Sequence, residues 1–347
     1  MEDPIALQMG AADVAEITPK IIADTIEEVR RGKRVWAQFF KDNRDLEKNG
    51  GDYIVFPKKS AGVVVTTNMS AGQTIDTTYM TYDAVTISVK KHGVGLGFYG
   101  EAIRTASRDV VADNIKEAGE AYADAMDTLA LESMFPAATV TASGASTVSC
   151  SFPVIGIKSK TSGFSHIEQD SSSAKAVFTA AGTVVYWYVP STAGARTVTA
   201  SAGSLALKDI FAAKADIEGN NFSPDVLVVH PDLVPDILFD PAVKWLEASA
   251  YRGSEELYNG ELAKVFGLKV VVTTKCPRYG AVLLASKDVG WHVIKQPLKL
   301  REDPYTGMKN DVLYYWGIAL ENFGVVNEKS YGAIAYKGTL TEANPVR

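Results

Sequence analysis

Ser107–Phe135 reads SRDVVADNIKEAGEAYADAMDTLALESMF. Apolar side chains recur at Val111, Ile115, Ala118, Tyr122, Met126, Leu129 and Ser133/Met134, in steps of three and four that draw one stripe along a helix. Lys116, Glu117, Glu120, Asp124, Asp127 and Glu132 occupy the other side. Ser107 suits the N-cap, Asp109 complements the positive first turn, and Pro136 forbids continuation. At 1.5 Å per residue such a helix runs about 43 Å, well beyond the usual three or four turns. A polar β pattern precedes it, and a Ser/Thr-rich segment and then an α/β unit follow. A long helix serving as a spine for unlike modules predicts a structural subunit rather than a compact enzyme.

Upstream, residues 1–17 carry no strong pattern. Thr18-Pro19 is a helix start signal. Ile22, Ile26, Val29, Trp36 and Phe40 form a stripe interrupted at Gly32, which predicts one broken helix or two short ones ending before Gly50-Gly51. Arg30, Arg31, Lys33 and Arg34 could touch phosphates. With Glu27, Glu28, Asp42, Asp45 and Glu47 close by, a solvated or inter-subunit ion-pair face fits better.

Asp52–Lys91 reads as a long β-hairpin. Tyr53–Phe56 and Val63–Val65 are β-prone, Pro57 and Gly62 punctuate them, and 68–73 reads as the tip. Val85, Ile87 and Val89 alternate with polar residues as in a half-buried strand. A hairpin with one thin apolar face cannot stand alone in water, so its own body or a neighbouring subunit must cover it. Phe56, Lys58, Lys59, Met69 and Met80 on this hairpin, with Trp36 on the arm, are the candidate subunit-interface residues.

Gly95-Leu96-Gly97-Phe98-Tyr99-Gly100 matches G-x-G-x-x-G, the loop that brings a pyrophosphate to a helix N-terminus. The strand before it alternates, whereas a central parallel strand would be apolar on both faces. The glycines are better read as the turn from hairpin to spine. Between 137 and 201, 21 of 65 residues are Ser or Thr and six are charged. That composition break marks a separate small β-sandwich or barrel, with strands at Val148–Phe152, Ala176–Thr179, Val184–Val189 and Thr197–Thr199. A module whose ends meet should be removable without loss of the core fold. Ser172–Lys175 matches S-x-x-K, but the partner motifs of penicillin-binding enzymes are missing.

From Ser204 an α/β pattern begins: a helix from Leu205 to Ile217 closed by Gly219, and a fully apolar strand at Val226–Val229. Short helices are expected at Pro231–Phe239, Pro241–Ser249 and Glu261–Phe266, and strands at Leu268–Thr273 and Ala281–Ala285. Long strands follow at Trp291–Leu300, Asp311–Phe323 and Tyr331–Tyr336. His166, His230 and His292 stand singly, and no nucleophile, base and orienting group recur together. The residues therefore predict no catalytic site, no cofactor and no metal.

A length of 347 residues allows two or three modules, and a hydrophobic content of 46% is ordinary for a globular chain. The net charge of −6 argues against a dedicated nucleic-acid binder, though not against a shell surrounding nucleic acid. Cys150 and Cys276 form no motif, which favours a reducing compartment. Met1-Glu2-Asp3-Pro4 lacks the regions of a signal peptide, and no apolar run reaches membrane-spanning length, so a soluble protein is expected.

This order of parts resembles the major capsid proteins of tailed viruses, the Hong Kong 97-type shell fold. The likeness spans roughly 18–136 and 203–337. It is carried by His230-Pro231-Asp232 through Trp245, Asn259-Gly260-Glu261, Phe266–Val270, Tyr314–Gly317 and Val325–Ala333. The resemblance implies an α+β fold with an N-terminal arm at 1–50, an extended hairpin at 51–100 and a spine helix of a peripheral domain at 101–136. An inserted β-rich domain at 137–202, an axial α/β domain at 203–290 and returning strands at 291–347 complete it. It also implies self-assembly into pentamers and hexamers of an icosahedral virion capsid, formed in the host cytoplasm. Packaged double-stranded DNA, a separate scaffolding protein if one exists, portal and decoration proteins are the implied partners, without a membrane. Two other readings stay open: an encapsulin-like compartment built on the same fold, and a nucleotide-binding enzyme using 95–100.

Overall fold

The 3.6-residue stripe folds as expected. The computed structural model describes residues 34–59, 67, 82–99, 110–170, 172–190, 198–200, 205–239, 264–265, 267–303 and 312–341, and the long helix occupies Val110–Met134. In chain order the elements begin with β1 (Lys41–Asn43), α1 (Asp45–Lys48), β2 (Tyr53–Lys59), β3 (Tyr82–Ser88), β4 (Lys90–Tyr99) and the spine helix α2. Next come β5 (Ala137–Ala142), β6 (Ser146–Cys150), β7 (Val154–Lys160), β8 (Phe164–Gln169), β9 (Ala174–Phe178), β10 (Gly182–Tyr188) and β11 (Val198–Ala200). The rest are α3 (Leu207–Gly219), β12 (Val226–Val229), α4 (Val234–Phe239), β13 (Lys264–Val265), β14 (Leu268–Val272), β15 (Gly280–Leu284), β16 (Gly290–Asp303), β17 (Val312–Val325), β18 (Tyr331–Tyr336) and β19 (Gly338–Leu340).

The chain divides into two compact units. Asp42–Glu120 and Trp291–Val326 belong to the first, and Ala121–Gly290 with the residues from Asn327 onward belong to the second, as do the described residues up to Lys41. In the first unit β1, β16, β17 and β4 form one sheet in that order, and β2 and β3 form a two-stranded ribbon. Phe98 and Tyr315 meet edge to face at 6.0 Å and pack with Ile115 and Ala118 of α2. A second small core joins Leu46, Ile87 and Val293.

The second unit holds a six-stranded sheet of order β11-β18-β15-β12-β14-β13. Its central strands β12, β15 and β18 are buried at every position, as a covered sheet requires. Helix α3 lays Leu207, Ile210, Ala213 and Ile217 against it. Beside it stands a sandwich of β5-β10-β7 and β19-β8-β9-β6. The sandwich core pairs Val154, Ile157, Val184 and Tyr186 of one sheet with Phe164, Ile167, Phe178 and Leu340 of the other.

The structure departs from the sequence reading at definite places. The helix expected over the second half of the arm is absent from 34–49: Ala37–Phe39 is one 3-10 turn, followed by β1 and α1. The expected start at 18–33 lies outside the described residues, as do the helix at 241–249, Ser107 and the tip at 68–73. Within Glu261–Phe266, where a helix was expected, Lys264–Val265 pairs antiparallel with β14, turning back at Gly267, whose φ is +80°.

The Ser/Thr-rich segment is less separate than its composition suggests. β11 pairs parallel with β18 in the α/β sheet, whereas β19, from beyond residue 337, pairs with β8 and completes the sandwich. Tyr279 donates its backbone N–H to Ile155 O at 3.0 Å. A Cβ on Gly280 would sit 2.9 Å from Ile155 Cβ, so the glycine permits this close approach. Excision of 137–202 would strip β19 of its partner strand β8 and uncover Leu340.

Candidate assembly surfaces

The ribbon of β2 and β3 has two unlike faces because neighbouring side chains alternate across a strand. Register pairs Ile54 with Ile87 and Phe56 with Val85 on one face, and Tyr53 with Ser88 and Val55 with Thr86 on the other. The first face is covered by its own unit: Phe56 stacks on Trp291 at 5.5 Å and 9°, beside Leu46 and Val293. The second face is open, with Tyr53 59% exposed, Val55 46% and Tyr82 64%. Tyr53, Val55 and Tyr82 thus leave large side chains exposed on one face of a two-stranded ribbon.

The candidate interface residues separate accordingly. Phe56 and Lys58 are half-buried, and Lys58 stands opposite Asp83 in register. Lys59 pairs with Tyr82 through the backbone, its side chain outside the described set, and Met69 and Met80 also lie outside it. Trp36 is a correction: only 1% exposed, it offers no surface to a neighbour. Its indole Nε1 donates to Lys275 O at 3.1 Å. Asp127, on the side of the helix opposite the apolar stripe, is 1% exposed, and its Oδ1 accepts the backbone N–H groups of Val35, Trp36 and Ala37 at 2.9, 2.6 and 3.0 Å. Lys275 Nζ lies 3.4 Å from the other oxygen. Burial pushes this carboxyl above the usual range, against the pull of the three N–H groups and Lys275.

The glycine-rich stretch is also a correction. Gly95 and Gly97 are not at a turn but inside β4, opposite Trp316 and Tyr314 of β17. A Cβ on Gly95 would lie 3.0 Å from the Trp316 ring, so the indole covers bare backbone on the outer face. Trp316 is nevertheless 51% exposed, and Tyr99 at the end of β4 is 67% exposed. These open aromatics were missed because β4 offers no side chain where β17 offers a ring. Alternation along 312–325 was the available signal.

Buried polar groups in both units serve structure. His292, fully buried, lies between Asp42 Oδ1 at 2.8 Å and Glu321 Oε2 at 3.0 Å, and stacks on Phe323. That arrangement ties β1, β16 and β17 together. Burial pushes both thiols, Cys150 and Cys276, up, away from nucleophilic character. Among the described residues no group of His, Cys, Asp or Glu could hold a metal ion, and no helix is long and apolar enough to cross a membrane.

A basic groove of about 630 Å³ lies in the first unit between α1 and β16. Arg44, Lys48, Lys295 and Lys299 line it together with Glu47, Leu46 and Pro297.

Comparison with known proteins gives a consistent picture. The family model described as phage capsid protein matches residues 81–335. A search of curated proteins gives no match. Among solved structures, the mature capsid of bacteriophage PhiM1 is similar over 87% of each chain, with a TM-score of 0.56 at 14% identity. The capsid of cyanophage P-SCSP1u is similar over 88% of each, with a TM-score of 0.59 at 12% identity. A virus-like particle from Pyrococcus furiosus matches over 91% of this chain and 98% of its own, with a TM-score of 0.50 at 11% identity.

Proposed function

This chain belongs to the phage capsid protein family, as a structural major capsid protein of Hong Kong 97-type fold, and from that premise we propose that the β2–β3 hairpin is the arm by which one copy grips the next in the shell. The observation that carries this reading is the open face of Tyr53, Val55 and Tyr82, beside a face already filled by Trp291. Burying such a face against a neighbour recovers about 25 cal/mol per Å² of apolar surface, a gain repeated at every copy. One chain forming both pentamers and hexamers needs extended contacts that tolerate small differences in angle. The shell would enclose double-stranded DNA without reading its sequence, with scaffolding, portal and decoration proteins as further partners, and would form in the host cytoplasm. The encapsulin-like alternative has no observation of its own favouring it.

The test is a pair of measurements on the full chain. Light scattering and negative-stain microscopy of the purified protein should show capsomers or closed shells, with a scaffold if one is needed. Tyr53→Ser with Tyr82→Ser should leave the melting temperature of the unassembled subunit nearly unchanged, since exposed sites cost within about 0.5 kcal/mol. It should abolish shells or make them fragile. A stable monomer under every condition overturns the assembly reading, and a double variant that assembles normally overturns the role of the hairpin.

A further inference from the structure

The edges of the sandwich are guarded unequally. β5 and β7 end one sheet, β19 and β6 the other. β7 carries Lys158 and Lys160, and β19 is only three residues long and follows Lys337, devices that keep stray strands away. β5 and β6 have neither, since they run six and five residues and no charged residue stands between Glu132 and Lys158. β5 is also regular, its register with β10 unbroken from Ala137 to Ala142.

One bond tells which backbone groups of β5 are turned outward. Tyr188 donates its N–H to Pro136 O at 3.2 Å, and bonded and non-bonded pairs alternate along an antiparallel ladder. In the register that sets Trp187 opposite Ala137, the N–H and C=O groups of Ala138, Val140 and Ala142 therefore point at β10. Those of Ala137, Thr139 and Thr141 point away from it, where no strand lies among the described residues. The side chains of Ala138, Val140 and Ala142 join the sandwich core, and Thr139 and Thr141 are exposed.

We propose that β5 pairs antiparallel with β5 of a second copy across a two-fold axis through Val140, so that two sandwiches share one continuous sheet. Three features favour that occupant. Ala138-Thr139-Val140-Thr141-Ala142 reads the same in both directions, so the axis sets Val140 on Val140, Thr139 on Thr141 and Ala138 on Ala142. Thr139 then exchanges both backbone hydrogen bonds with Thr141 of the second copy, Thr–Thr is a favourable cross-strand pair, and both core faces stay on one side. Neither strand brings a charge that would oppose the approach. Finally, a six-residue edge is about 20 Å long and buries well under the roughly 1,200 Å² of a stable free complex. Such a contact holds only where copies are already neighbours, each pairing reinforced by the others in the shell.

The inference rests on the shell-forming reading, and its test starts from full-length chain under assembling conditions. Val140→Cys sets a thiol against itself at a non-hydrogen-bonded pair, where Cα atoms lie about 4.5 Å apart, within disulfide reach. Mild oxidation of assembled particles should turn most of this variant into a disulfide-linked dimer on non-reducing gels. Wild type, with only Cys150 and Cys276, should stay monomeric there, as should the unassembled variant. Two further variants read the register by charge. Thr139→Lys with Thr141→Lys sets lysine against lysine and should cut shell yield roughly tenfold, whereas Thr139→Lys with Thr141→Glu sets opposite charges in the same places and should restore it. Both lose the contact of Thr141 with Thr183 inside the sandwich, so that loss cancels in the comparison. Assembled Val140→Cys without a dimer overturns the pairing, as does equal yield from the two charge variants, and both results spare the shell-forming reading. Wild type that forms no shell under any condition overturns that reading, and this inference with it.

Discussion

Asp127 Oδ1 takes the Trp36 backbone N–H at 2.6 Å, with the N–H groups of Val35 and Ala37 on the same oxygen. One buried carboxylate on the spine helix thus holds the backbone of residues 35–37. Asp127→Ala leaves three N–H groups without this acceptor and removes the carboxylate facing Lys275, at a cost of about 3–5 kcal/mol. Asp127→Asn keeps an acceptor oxygen and should cost about 1 kcal/mol. Denaturant midpoints of the unassembled subunit check both, and equal losses would mean that charge, not acceptance, matters.

Trp316 and Gly95 should behave as a coupled pair. Trp316→Ala uncovers strand backbone, and Gly95→Ala pushes a methyl to within about 3 Å of the ring. Each should cost about 1 kcal/mol. A double-mutant cycle should show a coupling of 0.5 kcal/mol or more, and strict additivity would separate the two residues.

His230 gives a pH signature. Its ring is 4% exposed, and its Nδ1 accepts the Asp232 N–H at 3.3 Å, so the neutral form suits the site. Burial lowers its pKa below 6.5, with Asp232 pulling it up and Arg278 pulling it down. The folded state therefore resists a proton that the unfolded state accepts. The contribution is present above pH 6.5 and is lost as pH falls from there through the lower folded value. His230→Asn keeps a capping acceptor without titrating. Its stability should fall less steeply than wild type on acidification below about pH 6.5, read from urea midpoints.

Gln169 fastens the sandwich to the α/β sheet. It is 4% exposed, accepts the Val154 N–H at 2.7 Å, and donates to Val154 O at 3.0 Å and Tyr336 O at 2.7 Å. Gln169→Leu fills the space but leaves these backbone groups without this partner, at about 2–4 kcal/mol. The unassembled subunit should show one cooperative melt in wild type. A variant that lost nothing would show that the sandwich is energetically independent.

The sequence made the spine legible because 3.6-residue periodicity over many turns has no other reading. The covered strands Val226–Val229 and Tyr331–Tyr336 were equally plain. What failed was local pattern overridden by distant partners. Trp36 and Phe40 have helical spacing, yet Asp127, 91 residues from Trp36, captures the backbone instead. Strands β5, β7 and β8 were missed because AATVTA, VIGIKSK and FSHIEQ share no one local pattern, and their partners β10, β9 and β19 lie further along the chain. The candidate surface was half legible: the hairpin was found, but its filled and open faces depend on Trp291, which no local pattern places opposite Phe56.

The partnership of Gln169 with Tyr336 also has a consequence for synthesis. The two residues are 167 positions apart, so at 5–20 residues per second the ribosome delivers the second roughly 10–30 s after the first. During that interval β8 presents an unpaired edge where β19 will later lie, the kind of edge that recruits stray strands. Copies made side by side on one message would be exposed to mispairing for that whole delay, and a translation stall before residue 338 would prolong it.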